Sequence, residues 1–322
     1  MTQPTSPQDD AELTRLLSAI YAGDTPGVAQ ILAQKPELAR AASADGQTPL
    51  HAAAQCNDPT LGALLLAQGA DAEAKFGASG HTALSWAVTC HAMEFARALV
   101  RLGVKPDLFC AAGIGSLEHV QACFDDAGKL VAGASRTGSS RFAADGTRLP
   151  CPPWSATEKI SDALSIACRT GQTEVVRFLL TKQPDLSFRA YQGGTALHWA
   201  YFGGSREAIE LLERAGADAA ARDDVLHCTP RAFGICVAAN SGFPNLVQQR
   251  LAEDPALVNF YDGQTTPLHA AARGGNLEVV RMLLDAGADP ALRDADGKTA
   301  LEVATEAGHV WVVEMLRGAE GG

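Results

Sequence analysis

One stretch, Thr266 to Asp289 (TPLHAAARGGNLEVVRMLLDAGAD), recurs along the chain in altered copies and constrains the fold more than any other feature. Thr266 and Pro267 supply an N-cap and a first-turn proline, and Leu268, Ala271 and Ala272 place a small apolar stripe on one side of a short helix. Gly274 and Gly275 end that helix. Val279, Val280, Met282, Leu283 and Leu284 form a second stripe, closed by Gly287 at a left-handed C-cap position. A pair of helices this thin cannot bury its own apolar face, so it must lean on copies of itself.

The copies follow in order. Ala11 to Ala22 and Pro26 to Gln34 read as a helix pair without the TPLH letters, suited to an N-terminal cap. Thr48-Pro49-Leu50-His51 opens a strong copy that closes on Gly69-Ala70-Asp71. The next begins at Gly80, with Thr82, Ser85 in the histidine slot, Trp86 beside it, and Gly103 at the close. From Asp107 the frame continues through Ala111-Ala112 and Gly115 with no hairpin before it. Gly128 to Lys159 then breaks the grammar: it is rich in Gly, Ser, Arg and Pro and shows neither helical nor strand periodicity, at a length uncommon in compact domains unless functional or disordered. The letters resume at Ser161, repeat clearly from Gly194 (Thr195, Ala196, Leu197, His198), turn irregular after Thr229, and end in a copy from Gly297 to Leu316 whose Glu314, Arg317 and Glu320 give a polar finish. In the irregular copy the paired alanines, Ala238 and Ala239, come late, so extra residues have entered either the hairpin or the helix.

This unit resembles the ankyrin repeat, of about 33 residues, and the chain resembles a bacterial-style stand-alone ankyrin array. The resemblance implies an all-α ankyrin-repeat solenoid, stacked helix-turn-helix repeats with short hairpin loops and one long irregular insertion. The expected layout is residues 1–44 as a polar segment and capping helix pair, 45–128 as the first half of the repeats, 129–159 as the insertion, and 160–322 as the second half with its C-terminal cap. In the family the TPLH histidine hydrogen-bonds backbone near the turn and ties one hairpin to the next, which assigns His51, His198 and His269 to the scaffold. Gly308-His309 matches the common Gly-His pair between the helices and is read the same way. His91 and His227 are the histidines least explained by the repeat.

Charge and composition narrow the function. A net charge of -11 over 322 residues, with Lys and Arg scattered, gives no basic face for phosphates, so no nucleic-acid partner is expected. Lys129, Arg136, Arg141 and Arg148 in the insertion are a local exception, read as solvated. No apolar run approaches a bilayer-spanning length and the first residues are polar and acidic, so the expectation is a cytoplasmic protein with no membrane partner. The eight cysteines include no close C-x-x-C pair. Cys110 and Cys168 fill small apolar slots, while Cys56 and Cys90 share one slot in adjacent repeats, too far apart for a bridge. Reduced thiols, no metal and no cofactor are expected.

Binding in ankyrin arrays mostly uses the hairpin tips and the exposed end of the first helix, on the concave side. Carried over slot by slot, this marks Arg169, Phe202, Asn240 and Arg273 on the helices and Tyr191 and Tyr261 at the tips. Aromatic tips supply much contact area at little entropic cost, so Tyr191, Phe202 and Tyr261 read either as a hot-spot row or as packing between hairpins. Trp86 and Trp199 occupy a slot that holds Ala52 and Ala270 in regular copies, so each fills space left by a displaced neighbour or projects into the groove. Tyr201 replaces a paired alanine. Trp154, in the insertion, is expected to dock on the groove if the groove is a pocket.

Two function classes follow. The first is a binding module that holds a protein through the concave face. The second is an enzyme acting on a small molecule under the 129–159 insertion, with His91 and His227 as acid-base groups, Asp223 or Asp224 as orienting carboxylates, Tyr201 as a donor and Cys151 or Cys228 as nucleophile. The chain carries no G-x-S-x-G, phosphate-binding glycine loop or H-E-x-x-H, which favours the first.

Overall fold

A computed structural model of the protein describes residues 7–134, 141–142, 148–149 and 153–320. These form two compact units, residues 1–163 and 164–322. In the first unit, α1 (Pro7–Tyr21) pairs with α2 (Thr25–Gln34), α3 (Pro49–Gln55) with α4 (Pro59–Ala67), α5 (Ala83–Thr89) with α6 (Met93–Arg101), and α7 (Leu108–Ile114) with α8 (Leu117–Ala122). The first helices stack in the order α1, α3, α5, α7, and the second helices α2, α4, α6 form the layer behind them. Leu50, Leu61, Leu65, Phe95 and Leu99 fill the space between the layers. Each such fully buried side chain contributes about 1.5 to 3 kcal/mol.

After α8 the chain forms a two-residue antiparallel pair, β1 (Arg141–Phe142) with β2 (Arg148–Leu149), and β2 lies against the turn Gly77–Ser79. The insertion therefore holds a short ladder that its composition does not announce. Arg136 and Cys151 lie outside the described residues. α9 (Ala156–Arg169) starts ahead of Ser161, where the repeat letters resume, and crosses from one unit to the other.

In the second unit, α10 (Thr173–Leu180) precedes the pairs α11 (Ala196–Gly203) with α12 (Arg206–Arg214), α13 (Pro230–Asn240) with α14 (Pro244–Glu253), α15 (Pro267–Gly274) with α16 (Leu277–Asp285), and α17 (Ala300–Ala307) with α18 (Val310–Glu320). The four first helices stack in sequence order. Thr266 caps α15 as expected, its side chain accepting from the His269 amide, and Thr299 caps α17 in the same way. The irregular copy is resolved by α13, an 11-residue helix where α11 and α15 have 8. The extra residues lengthen the helix rather than the hairpin, because the Cys228 carbonyl keeps the regular hairpin bond to His198. Close approach of first helices explains Gly203 and Gly274: a Cβ at either would collide with the backbone carbonyl of Cys168 or Asn240.

Candidate functional site

Neighbouring repeats are joined by histidine ties. His51 Nε2 lies 3.0 Å from the His81 carbonyl, His198 Nε2 3.1 Å from that of Cys228, and His269 Nε2 2.8 Å from that of Lys298. A carbonyl only accepts, so Nε2 carries the proton, and Nδ1 accepts from the N-cap hydroxyl of Thr48, Thr195 or Thr266 at 2.7 to 2.8 Å. Burial pushes the pKa of each of these histidines below the ordinary value, and the carbonyl bond only partly offsets it. The repeat with Ser85 in the histidine slot is served by His81, whose buried ring places Nδ1 3.1 Å from Ser85 Oγ. His309 Nε2 donates to the Arg273 carbonyl at 3.0 Å, a tie between inter-helix turns.

The hairpin tips of the second unit are chained by arginines. Arg189 Nη1 donates to the carbonyls of Gly193 (2.9 Å) and Arg222 (2.5 Å). Arg222 in turn donates to the carbonyls of His227 (2.6 Å) and Asp262 (2.9 Å). Tyr191 and Tyr261 stand on tips joined by this chain and are 37% and 45% exposed. Four residues marked in the sequence come together below the first tip. The Tyr191 ring stacks on Trp199 with centroids 6.1 Å apart, Phe202 meets Trp199 edge-on at 5.4 Å, and the Arg169 guanidinium lies 5.3 Å from the Trp199 centroid and 5.9 Å from that of Phe202. Trp199 is only 2% exposed, so it is the floor of this cluster and Tyr191 with Arg169 is its accessible edge.

Phe233 completes the cluster, edge-on to Trp199 at 5.0 Å, and sequence reading missed it. The signal was available: Phe233 stands four residues after Thr229, as Trp199 does after Thr195 and Trp86 after Thr82. In the first unit Trp86 is half-buried, edge-on to Phe76 at 5.2 Å and tilted against His81 at 5.5 Å. Trp154 is half-buried just ahead of α9. The carbonyls of Asn240 and Arg273 accept from Asn276 Nδ2 (2.8 Å) and His309 Nε2, and the Arg273 guanidinium lies 4.0 Å from buried Asp294.

Of the residues considered for acid-base or nucleophilic work, Asp223, Asp224 and Tyr201 in the second unit are each engaged with other partners. Buried Asp223 accepts from the amides of Val225, Leu226 and Cys228 at 2.7 to 2.8 Å, so its carboxylate staples its own turn. Asp224 lies 3.2 Å from Arg189 Nη1. His227 is exposed with φ 53°, and Tyr201 reaches Glu213 Oε1 at 3.4 Å. No hydrogen bond joins Asp223, His227 and Tyr201 to one another among the described residues. His91, exposed with φ 63°, belongs to the other unit and occupies the turn position that Gly115 holds in the next repeat. Cys228 is fully buried, and its thiol pKa is raised well above the ordinary value by the hydrogen bond with Cys236 and by burial, the reverse of what a nucleophile needs. Cys151 lies outside the described residues.

Comparison with known proteins fixes the family. The family model described as ankyrin repeats (3 copies) matches residues 16–122, 150–223 and 235–321, so the chain belongs to the ankyrin-repeat proteins. Among relatives, it is 35% identical over 162 residues to the mouse B-cell lymphoma 3 protein homolog, covering 48% of this chain and 34% of that protein. It is 32% identical over 154 residues to the Caenorhabditis elegans ankyrin repeat and KH domain-containing protein mask-1, covering 48% of this chain and 6% of that one. An ankyrin repeat protein of fowlpox virus is 29% identical over 143 residues, 44% of this chain and 96% of the viral protein. The chain thus spans about a third of the first of these relatives, a small part of the second and nearly all of the third. Among the described residues no helix is long and apolar enough to cross a membrane. Ankyrin repeats are protein-interaction modules, and the chain carries that architecture.

Proposed function

We propose that this chain holds a partner protein on the concave face expected of an ankyrin array, with the strongest grip in the second unit. Tyr191 and Arg169 are the anchors, Trp199 and Phe202 back them, and Tyr261 provides a further contact along the tip row. The supporting observation is the convergence of Arg169, Tyr191, Trp199 and Phe202, a guanidinium and a half-exposed ring resting on a buried indole. Such a surface desolvates at small entropic cost, as binding hot spots do. The reading includes a bacterial-style array and a cytoplasmic setting. The setting is supported by the cysteines of the described residues, which form no disulfide with one another.

The test is capture from native lysate followed by quantitative binding of what is captured. Tyr191→Ala with Tyr261→Ala should reduce affinity by about 100-fold, roughly 2.8 kcal/mol at about 1.4 kcal/mol per tenfold, while the folded state persists by circular dichroism. A saturable partner that binds the double variant as well as the parent protein would refute the placement of the face.

A further inference from the structure

The repeat that holds α13 is out of step with its neighbours, and the mismatch leaves a pocket. Ala200 follows its N-cap Thr195 by five residues and Ala271 follows Thr266 by five, whereas Ala238 follows Thr229 by nine. The helix α13 is three residues longer than α11 or α15, about 4.5 Å at a rise of roughly 1.5 Å per residue, and its closing left-handed glycine, Gly242, comes correspondingly late. Elsewhere in this unit successive inter-helix turns sit side by side: Thr173 Oγ1 lies 2.9 Å from Ser205 Oγ, Asn276 Nδ2 donates to the Ala239 and Asn240 carbonyls, and His309 to that of Arg273. Among the described residues no such bond joins the α11 turn to the later turn that ends α13. The guanidinium of Arg250, from α14, lies against Gly204 instead, in the space a Cβ would take.

The result is a pocket of about 140 Å³ whose polar wall is Tyr201, Arg206, Arg231, Arg250, Glu253 and Asp254. Arg250 is the unusual member. Its side chain is 6% exposed, Glu253 holds its two terminal nitrogens at 2.9 and 3.1 Å, and its enclosed Nε–H has no acceptor among the described residues. A buried donor left unpaired costs stability unless something fills the need. Arg231 pairs with Asp254 at 2.7 Å over the ring of Phe260. Arg206 is 93% exposed and meets Glu210 only at 3.4 Å, so solvent screens that pair and the side chain is free to swing.

We propose that this pocket is a subsite for a single carboxylate group. Arg206, Arg231 and Arg250 give the wall three guanidinium groups against the two carboxylates Glu253 and Asp254, with Glu210 and Glu213 behind Arg206 and Tyr201, so it has room for at most one added negative charge, which favours a carboxylate over a phosphate dianion. Guanidinium and carboxylate also match in planar, two-point hydrogen bonding. The Tyr201 hydroxyl, raised in pKa by burial and then by Glu213, stays protonated and is a donor whose present bond is long. The carboxylate has two sources, a free small monocarboxylic acid or a glutamate side chain of a bound protein. The subsite shares no residue with the Tyr191 cluster and does not rest on the reading above.

The test is an amide NMR titration of the full chain with acetate and, separately, with N-acetylglutamate amide, against chloride at matched ionic strength. The Gly204 and Gly234 amides should shift saturably, because both glycines line the pocket. Arg231→Gln should weaken the apparent affinity by about tenfold, and Arg206→Gln with Arg231→Gln should abolish saturation. Arg250→Met should abolish it too. If Arg250→Met fails to fold, the two exposed arginines still decide the outcome. Saturation by acetate supports a free acid, and saturation by the glutamyl compound alone supports a partner side chain. Shifts that rise linearly with both compounds, or saturation unchanged in Arg231→Gln, overturn the proposal.

Discussion

Trp86 and Trp199 stand in the same slot of two copies of one motif, four residues after an N-cap threonine, yet they meet different fates. Trp86 remains half-buried beside Phe76 and His81, whereas Trp199 is enclosed by Tyr191, Phe202, Phe233 and the Arg169 guanidinium. One difference lies in the next repeat. Counted four residues from its N-cap, the next repeat offers Phe233 after Trp199 and Ala111 after Trp86. In a stacked array a slot is defined half by its own helix and half by the helix that covers it, so identical residues acquire different roles.

The sharpest way to break this comparison is to remove each ring. Trp199→Ala should cost about 3 to 5 kcal/mol, the cost of emptying a buried aromatic site, and Trp86→Ala about 1 to 2 kcal/mol. Urea unfolding of the two variants measures both, and equal losses would mean that the two slots do not differ as described. Phe233→Ala in the second unit should then lower the penalty of Trp199→Ala when the two are combined, because neighbours that share a cavity are not additive. Ala111→Phe asks the converse question in the first unit, and it should reduce the solvent quenching of Trp86 fluorescence if the covering residue decides burial.

A smaller effect separates the histidine ties. His198→Ala leaves the Cys228 carbonyl without its donor and should cost about 1 to 3 kcal/mol. Ser85→Ala, in the copy where His81 supplies the ring, should cost about 0.5 to 1.5 kcal/mol, since its hydroxyl bonds locally to His81 and Thr82 and ties no neighbouring repeat. Acid supplies a related test. His51, His198 and His269 have folded-state pKa values depressed by burial, so the unfolded chain binds protons more readily. Their contribution is fully present above the unfolded value of about 6.5 and is lost as pH falls below it. The urea midpoint should therefore fall on acidification through that range, and changing all three to Gln should flatten the slope. The smallest expected change is Arg231→Gln, whose pair with Asp254 is half-exposed on both sides and worth about 0.2 to 1 kcal/mol.

Much of the architecture was legible from particular letters. Thr-Pro at a helix start, paired alanines, a glycine at the turn and a histidine three residues into the helix are local signals, and the structure uses them as the motif implies. The TPLH histidines bond the next hairpin as the family resemblance indicated, and Arg169, Tyr191, Trp199 and Phe202, marked by slot, meet at one place. Phe233 escaped notice because its cap reads TPRA rather than TPLH, which hid the register. The Asp223 carboxylate could be a candidate orienting group only while its partners were unknown, and those partners are three amides of its own loop.

By itself the sequence determined that this is a stack of helix pairs, since cap, stripe and glycine recur at a period that no single pair can satisfy alone. Only the tertiary structure decided whether the late alanines lengthened a loop or a helix, which tryptophan would be covered, and that Arg250 would fill the gap below Gly204. The reason is physical. Capping and periodicity act within a few residues and can be read from adjacent letters, whereas burial is conferred by a neighbour one repeat away, whose register shifts when residues are added to a helix.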